Sequence, residues 1–169
     1  DFGLEVEVGE IGKKNEEGLV LTTPEEAVTF LEELKKNNIY PHVLAIANGS
    51  SHGNKYVNGK LAEQVSINIE QTRNVFKAII EAGFSTRLAQ HGITGTPLEL
   101  IDKYFPKGDI IKGNVGTLWM DIVWEVLKKL EPDLFDQIWS WTITKYSDGK
   151  KTDEEVFGKN SKFAIKEFF

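Results

Sequence analysis

The chain has 169 residues, with 26 acidic and 20 basic side chains, so its formal net charge at pH 7 is −6. A nucleic-acid-binding domain needs a basic face, and this charge therefore argues against a nucleic-acid partner. Cysteine is absent and hydrophobic residues make up 40% of the chain, which favours a folded cytoplasmic protein whose metal ligands would be His, Asp or Glu. No apolar run approaches the roughly 18 residues of a membrane span, so no membrane contact is expected.

The first segment reads as a strand followed by a charged loop. Residues 4–9 alternate apolar and acidic side chains, which is the period-two pattern of a strand. Glu5 and Glu7 would point to water in a half-exposed sheet, whereas in a closed parallel barrel an inward carboxylate needs a partner such as a metal. The loop over residues 9–22 is either a plain surface loop or an active-site lid. Because the chain starts without Met and enters a strand directly, we expect a fragment.

Two helix starts carry the same signal. Thr23, Pro24 and Glu26 provide an N-cap, a first-turn proline and a capping box, and apolar residues follow at helical spacing through Leu34. The segment from Thr96 to Glu99 repeats this signal before a short helix. The first of these helices is expected to cover a sheet.

Three further strands are predicted, and each ends in a polar or glycine-rich turn. His42 to Ala47 is almost continuously apolar, as in a strand buried on both faces, and His52 follows its carboxyl end. His42 lies at the opposite end and is interpreted as structural. A strand over residues 86–89 leads to His91, and a strand over residues 109–112 leads to Asn114. Residues 54–64, between the second strand and its helix, are predicted to be a polar loop.

The remaining sequence predicts covering helices. From Leu118 to Leu130 the apolar residues form one stripe at helical spacing, and a second helix begins at Pro132 with an aromatic stripe typical of a core or a subunit interface. Residues 163–169 resemble an amphipathic tail that packs on another element or subunit. The alternation of strands and helices predicts an α/β protein with a parallel sheet. Four such units are half of a (β/α)8 barrel, and a small open doubly wound domain is the alternative.

The ends of these strands predict a site. A glycine turn before a helix N-terminus presents backbone N–H groups to an anion, and residues 91–97 and 113–117 form two such turns, which suggests a phosphorylated ligand. Glu7, His52 and His91 each lie at or past the end of a different strand. Strand ends meet on one rim of a barrel, and two imidazoles with open positions suit a catalytic zinc.

Four motifs, in this order, resemble the C-terminal half of the class II, metal-dependent fructose-bisphosphate aldolases: residues 4–9, 49–53, 91–95 and 114–117. This resemblance implies a (β/α)8 TIM barrel, of which residues 1–131 would supply the last four β/α units and residues 132–169 a C-terminal helical extension. It also implies reversible cleavage of fructose 1,6-bisphosphate to dihydroxyacetone phosphate and glyceraldehyde 3-phosphate. The expected cofactor is Zn²⁺, with a monovalent cation as an additional candidate, and the expected assembly is a homodimer or higher homo-oligomer.

The same resemblance assigns roles to individual residues. His52 and His91 would bind zinc, and Glu7 would be the carboxylate of an alternative or second metal position. Glu16 would be the base in the loop, with Glu17 as its rival, and Asn114 would hold the substrate near its carbonyl. The residues expected to bind phosphate and substrate are Gly53, Lys55, Gly92, Thr94, Asn114, Gly116 and Thr117.

Departures from the family pattern keep alternatives open. Ile93 stands where the family commonly has glycine, Gly116 stands where it commonly has aspartate, and Lys55 is one residue from the expected lysine position. These differences leave tagatose bisphosphate open as the substrate. An Asp-His pair that would supply a third zinc ligand and a proton donor has no counterpart in this sequence. A half-barrel without catalytic activity, or a phosphosugar-binding protein, therefore remains the alternative function.

Overall fold

The computed structural model describes residues 2–15, 18–105 and 107–169. Within it the chain forms two compact units. The first unit combines Asp1–His52 with Gln64–Asn114, and the second combines Gly53–Glu63 with Val115–Phe169. The chain therefore passes from one unit to the other three times, after His52, after Glu63 and after Asn114.

The described helices and strands alternate along most of the chain. In chain order they are β1 (Glu5–Val8), β2 (Lys14–Asn15), β3 (Gly18–Leu19), α1 (Pro24–Lys36), β4 (Val43–Ile46), β5 (Lys55–Val57), β6 (Lys60–Ala62), α2 (Ile69–Glu81), β7 (Arg87–Gln90), α3 (Leu98–Tyr104), β8 (Ile110–Gly113), α4 (Thr117–Leu130), α5 (Pro132–Tyr146), α6 (Asp153–Asn160), a 3-10 turn (Ser161–Ala164) and α7 (Ile165–Phe168).

The first unit is built on a four-stranded parallel sheet in the order β1-β4-β7-β8. The α/β class with a parallel sheet, predicted from the alternation of strands and helices, is confirmed. The register places Glu5 beside Val43 and Glu7 beside Ala45. On the far side of β4, Ala45 lies beside Ala89 of β7.

The two faces of this sheet differ in character. Val6, Val8, Leu44, Ile46 and Leu88 belong to a hydrophobic cluster. Helices α1 and α2 close the cluster with Ala27, Leu31, Val75 and Ile79, each no more than 1% exposed. Side chains alternate along a strand, so the opposite face carries the intervening residues, among them both glutamates of β1. That face holds the polar groups described below.

The second unit has its own hydrophobic core. Trp124 of α4, Phe135 and Ile138 of α5 and Phe157 of α6 form its buried centre. The aromatic rings pack closely, with the Trp139 and Phe157 centroids 4.6 Å apart. The aromatic stripe of α5 is therefore a core element, as its spacing indicates.

The apolar stripe of α4 lies largely in solvent, which differs from the expected covering role. The exposed fraction is 61% at Trp119, 51% at Val123 and 67% at Leu130. Helix α4 packs instead through Met120, Trp124 and Leu127. These three residues follow one another at helical spacing on a neighbouring strip of the helix surface. Helix α4 therefore has two adjacent apolar lines of residues, and only the line that contains Trp124 is buried.

Local signals succeed at α1 and fail at α3. Thr23 caps α1 by accepting from the Glu26 N–H, and the Glu26 carboxylate accepts from the Thr23 N–H, so the capping box is complete. Helix α3 instead begins after Pro97 without a side-chain cap, and the buried Thr96 hydroxyl has no hydrogen-bond partner. The capping role predicted for Thr96 is therefore wrong. Residues 54–64 also differ from expectation, since they contain the hairpin β5-β6.

Among residues 2–15, 18–105 and 107–169, no helix combines the length and the apolar character that crossing a bilayer would require.

Candidate active site

The polar face of the sheet brings together side chains from β1 and from the carboxyl ends of β7 and β8. Glu5 and Glu7 are two residues apart on β1 and so share a face. His91 follows β7, and Lys112 and Asn114 come from the end of β8, where Ala89 lies beside Lys112. The charged residues come from the edge strands β1 and β8. The two central strands contribute small residues to the middle of this face, Ala45 from β4 and Ala89 from β7. All of these residues belong to the first unit.

The imidazole of His91 lies between two carboxylates. Its Nε2 is 2.7 Å from Glu5 Oε1, and its Nδ1 is 3.0 Å from Glu7 Oε2. The His91 side chain is 15% exposed, against 23% for Glu5 and 40% for Glu7. The more buried carboxylate, that of Glu5, thus holds Nε2 in place, and the more accessible carboxylate of Glu7 faces Nδ1.

Glu5 is held by groups from the opposite edge of the sheet as well. Lys112 Nζ donates to Glu5 Oε2 at 2.6 Å, and Asn114 Nδ2 donates to Glu5 Oε1 at 3.0 Å. Partial burial acts to raise the pKa of the Glu5 carboxyl. The hydrogen bonds from Lys112, His91 and Asn114 together outweigh this effect, and the pKa lies below its ordinary value. Glu5 is therefore an ionised acceptor that orients the ring of His91.

His52 approaches His91 from the turn after β4. The two ring centroids are 6.1 Å apart and the ring planes are inclined by 59°. His52 is exposed, while His91 is half-buried. His42 lies at the other end of β4, where its Nδ1 accepts from the Leu4 N–H at 3.1 Å. The structure thus places two of the three histidines together and the third in a backbone contact.

The residues predicted to bind phosphate are divided between the units. Gly92 and Thr94 are buried in the first unit. Gly53, Lys55, Gly116 and Thr117 belong to the second. There, a Cβ built on Gly53 would lie 3.9 Å from Thr117 Oγ1, so those two residues are neighbours. Helix α4 begins at Thr117 with Gly116 as its N-cap. Glu16 and Glu17, the two candidates for the loop base, fall outside the described residues.

Sequence reasoning missed three side chains. Glu5 contacts His91 more closely than Glu7 does, and Lys112 neutralises Glu5. Gln64 lies in a segment predicted only as polar loop, yet it is 1% exposed and bonds to both histidine turns. For Glu5 the alternation of β1 was a usable signal, because it places positions 5 and 7 on one face. For Gln64 the sequence carries no signal, since an isolated polar residue in a loop has no periodicity.

The donor set suits a divalent metal in type. Imidazole nitrogen and carboxylate oxygen are ligands that zinc accepts, and the ring of His52 faces that of His91. Within residues 2–15, 18–105 and 107–169, however, no three His, Asp or Glu side chains converge as a metal shell. The two histidines therefore fit part of such a shell.

Comparison with known families decides the relationship. A family model described as fructose-bisphosphate aldolase class-II matches residues 1–168. The chain belongs to this family. Class-II aldolases are metal-dependent enzymes that act on phosphorylated sugars, as the sequence resemblance implies. No curated protein matches the chain significantly in sequence.

Three solved structures are similar to the chain at low sequence identity. The fructuronate-tagaturonate epimerase UxaE from Cohnella laeviribosi is 15% identical with a TM-score of 0.56, and the match covers 91% of this chain and 32% of that protein. The YdjI aldolase from Escherichia coli K12 is 18% identical with a TM-score of 0.42, covering 98% and 46%. The fructose-bisphosphate aldolase from Campylobacter jejuni is 20% identical with a TM-score of 0.44, covering 92% and 44%. The chain therefore spans less than half of each of these proteins.

Proposed function

We propose that this chain forms the metal- and substrate-binding part of a zinc-dependent ketose-bisphosphate aldolase that reversibly cleaves fructose 1,6-bisphosphate to dihydroxyacetone phosphate and glyceraldehyde 3-phosphate. One observation carries the proposal. In a chain of the class-II aldolase family, His52 and His91 face each other at 6.1 Å, at the carboxyl ends of neighbouring parallel strands. Tagatose 1,6-bisphosphate is the nearest alternative substrate, because Ile93 and Gly116 depart from the family pattern.

Each site residue has a defined task in this proposal. His52 and His91 hold the metal, and Glu7 offers a second or alternative ligand position because its carboxylate already faces His91 Nδ1. When bound, the metal supplies Lewis-acid polarisation of the substrate ketone. Glu5 keeps the His91 ring in place through Nε2. The side-chain Nδ2 of Asn114 lies 2.6 Å from His91 Nε2. From this position the Asn114 amide would hold the substrate near the substrate carbonyl.

Binding of the phosphate orients the reacting carbons, and the glycine turns are suited to it because backbone N–H groups and a helix N-terminus favour an anion. We assign this task to the residues singled out in the sequence: Gly53, Lys55, Gly92, Thr94, Gly116 and Thr117. Glu16 is proposed as the base that removes a proton from dihydroxyacetone phosphate, with Glu17 as its rival. A monovalent cation, a homo-oligomeric assembly and a cytoplasmic location stay predictions.

We further propose that the parallel sheet is part of a (β/α)8 barrel. Residues 1–131 would contribute its last four β/α units and residues 132–169 a helical extension. Two observations support this proposal: the unpaired outer edges of β1 and β8 in the described sheet, and the partial coverage of the larger solved chains. The ligands that His52 and His91 lack would then come from polypeptide outside this sequence. We expect aldol cleavage from the complete barrel, and from this chain alone only metal binding.

The test compares the three histidines of the chain. The variants His91→Ala, His52→Ala and His42→Asn are titrated with Zn²⁺ against a chromophoric chelator. The first two should lose most of the zinc affinity, since each removes a proposed ligand. His42→Asn should retain it, because an asparagine oxygen can still accept from the Leu4 N–H. Equal zinc affinity in all three variants would contradict the ligand assignment.

The substrates are tested on a protein that contains these residues within a complete barrel. Cleavage is measured with fructose and tagatose 1,6-bisphosphate, and conversion is measured with fructuronate, the compound named for the similar epimerase. Activity should vanish with EDTA, return with Zn²⁺ and be nearly abolished by His91→Ala. Glu16→Gln should keep the metal and lose turnover, whereas unchanged turnover would move the base to Glu17 or elsewhere. Cleavage that survives EDTA would overturn the metal mechanism. Zinc and phosphosugar binding without turnover would favour the non-catalytic alternative.

A further inference from the structure

The side chain of Gln64 lies between the two turns that carry the histidines. It is 1% exposed, although it belongs to the connection between β6 and α2. Its Oε1 accepts from the Ser51 N–H at 2.8 Å and from the Ser51 hydroxyl at 3.0 Å. Its Nε2 donates to the carbonyl oxygen of Gly92 and, at 3.3 Å, to that of Thr94. One amide therefore joins the residue before His52 to the residue after His91.

The two turns also touch directly beneath this amide. Gly92 has a φ of +62°, and a Cβ at this position would lie 2.5 Å from the Ser51 carbonyl oxygen. Backbone therefore packs against backbone, and no side chain fits between the turns. The backbone N–H of Gln64 adds a third connection, because it donates to the Gly95 carbonyl at 2.8 Å. The segment at Gln64 is tied to both turns within the first unit.

Only a carboxamide satisfies all of these groups. The Ser51 side needs an acceptor, and the Gly92 and Thr94 carbonyls need a donor, which together require both ends of an amide. A methionine of similar shape would leave the Ser51 N–H and the Gly92 carbonyl buried without this partner. A glutamate would keep the acceptor but turn a carboxylate oxygen toward two carbonyl oxygens. Buried groups left in this way disturb the local backbone because their lost hydrogen bonds to water are not replaced.

We propose that Gln64 is a positioning residue that sets the separation of His52 and His91 so that both rings can bind one divalent metal ion. This inference rests on the proposed function, since the metal is the reason for the separation to matter. Gln64 itself touches neither ring. It acts through Ser51 and Gly92, each one residue from a histidine, and therefore controls where the two ring-bearing backbones stand relative to each other.

The experiment uses the full 169-residue chain and two measurements. Gln64→Met, Gln64→Glu and the wild type are compared in their affinity for Zn²⁺ alone. In the metal-free chain, the nuclear Overhauser effect between the His52 and His91 ring protons reports the ring separation. Gln64→Met should weaken zinc binding by about tenfold or more, as loss of groups that orient metal ligands typically does. It should also weaken the nuclear Overhauser effect between the two rings. For Gln64→Glu, the zinc affinity and the ring-to-ring effect should both lie between those of the wild type and Gln64→Met.

Thr86→Val is the matched control for a generic loss of stability. Its hydroxyl is buried and donates to the Pro41 carbonyl at 2.8 Å, at the opposite end of the sheet. This variant also loses one buried hydrogen bond, yet it should leave zinc affinity and ring separation unchanged. An unchanged ring-to-ring effect and unchanged zinc affinity in Gln64→Met would overturn the proposal. If the wild type binds no Zn²⁺ but Gln64→Met still separates the rings, the positioning role stands and the proposed metal function falls.

Discussion

Glu5 shows how a charge is accommodated on the face of a sheet. A partly buried carboxylate loses hydration, which disfavours the ion unless other groups replace the water. Here Lys112, Asn114 and His91 do so, and the pKa of the Glu5 carboxyl lies below its ordinary value despite the burial. Lys112 and Asn114 are 107 and 109 positions away along the chain. The sequence alternation of β1 therefore predicts the face on which Glu5 lies, but not the residues that hold it.

Gly92 is the residue at which a small change should have a large effect. Gly92→Ala adds a Cβ that would lie 2.5 Å from the Ser51 carbonyl oxygen and 2.8 Å from its carbon, at a φ of +62°. Neither contact can be relieved by rotating a side chain, because both atoms are backbone. We expect the free energy of unfolding to fall by about 3 kcal/mol or more, measured by urea denaturation.

Gly83→Ala separates conformational strain from the contact between the turns. Gly83 has a φ of +81°, similar to that of Gly92, but a Cβ there would meet nothing within 4 Å. Its substitution should cost only the strain of a left-handed alanine, about 1–2 kcal/mol. Equal losses in the two variants would mean that the turns of Gly92 and Ser51 are not in contact in solution.

At the level of elements, local rules predicted what depends on neighbours in sequence. The capping box of α1 and the buried strand β4 formed as expected, because each follows from residues a few positions apart. Helix α3 did not follow its signal, since the hydroxyl of Thr96 is buried instead of capping. The candidate site was predictable in part: the strand ends identified His52, His91 and Asn114. Glu5, Lys112 and Gln64 required the register and the path of a loop.

Asp121 on α4 provides a test by pH. Its partial burial raises the pKa of the carboxyl above the ordinary 3.8, and the hydrogen bond from Asn54 offsets this only in part, while the nearby charge of Glu125 raises it further. A carboxyl with a raised folded-state pKa contributes stability below its unfolded pKa and loses that contribution as the pH rises through the folded pKa. Asp121→Asn should therefore raise the free energy of unfolding at pH 7, by about 0.5 kcal/mol at this partly exposed site.

The gain from Asp121→Asn should shrink as the pH falls and disappear below 3.8, because the wild-type carboxyl then becomes protonated in both the folded and the unfolded state. Urea denaturation at a series of pH values measures this difference. Asp136→Asn, an exposed position on α5, controls for the change in net charge and should shift stability much less. A stabilisation by Asp121→Asn that persists undiminished at the lowest pH would rule out the buried charge as its cause.

At the scale of the whole molecule, periodicity identified helix faces without identifying what covers them. Helix α4 has two apolar lines, and the structure buries the one that contains Trp124 while Trp119, Val123 and Leu130 stay exposed. Both lines satisfy the same helical spacing, so the sequence alone could not choose between them. The division into two units was likewise beyond sequence reasoning, because it depends on where Gly53–Glu63 packs and not on its composition.

The two hydrophobic cores predict separate local effects of equivalent mutations. Ile79 of the first unit and Ile138 of the second are both fully buried. Replacing either by alanine removes the same atoms and should lower stability by about 2–5 kcal/mol. Amide hydrogen exchange should rise first in β4 and β7 for Ile79→Ala, and in α5 for Ile138→Ala, since each side chain supports the contacts of its own core.

Ile80→Ala is the control for this comparison, because Ile80 follows Ile79 on α2 but is 42% exposed. The same chemical change there leaves a much smaller gap, so its cost should stay below about 1 kcal/mol. The contrast tests burial itself, independent of helix propensity, since both residues are isoleucines within one helix. If Ile79→Ala and Ile80→Ala destabilised the chain equally, the buried face of α2 would not be the one that packs on the sheet. The assignment of His91 to the sheet face opposite α2 would then also be wrong.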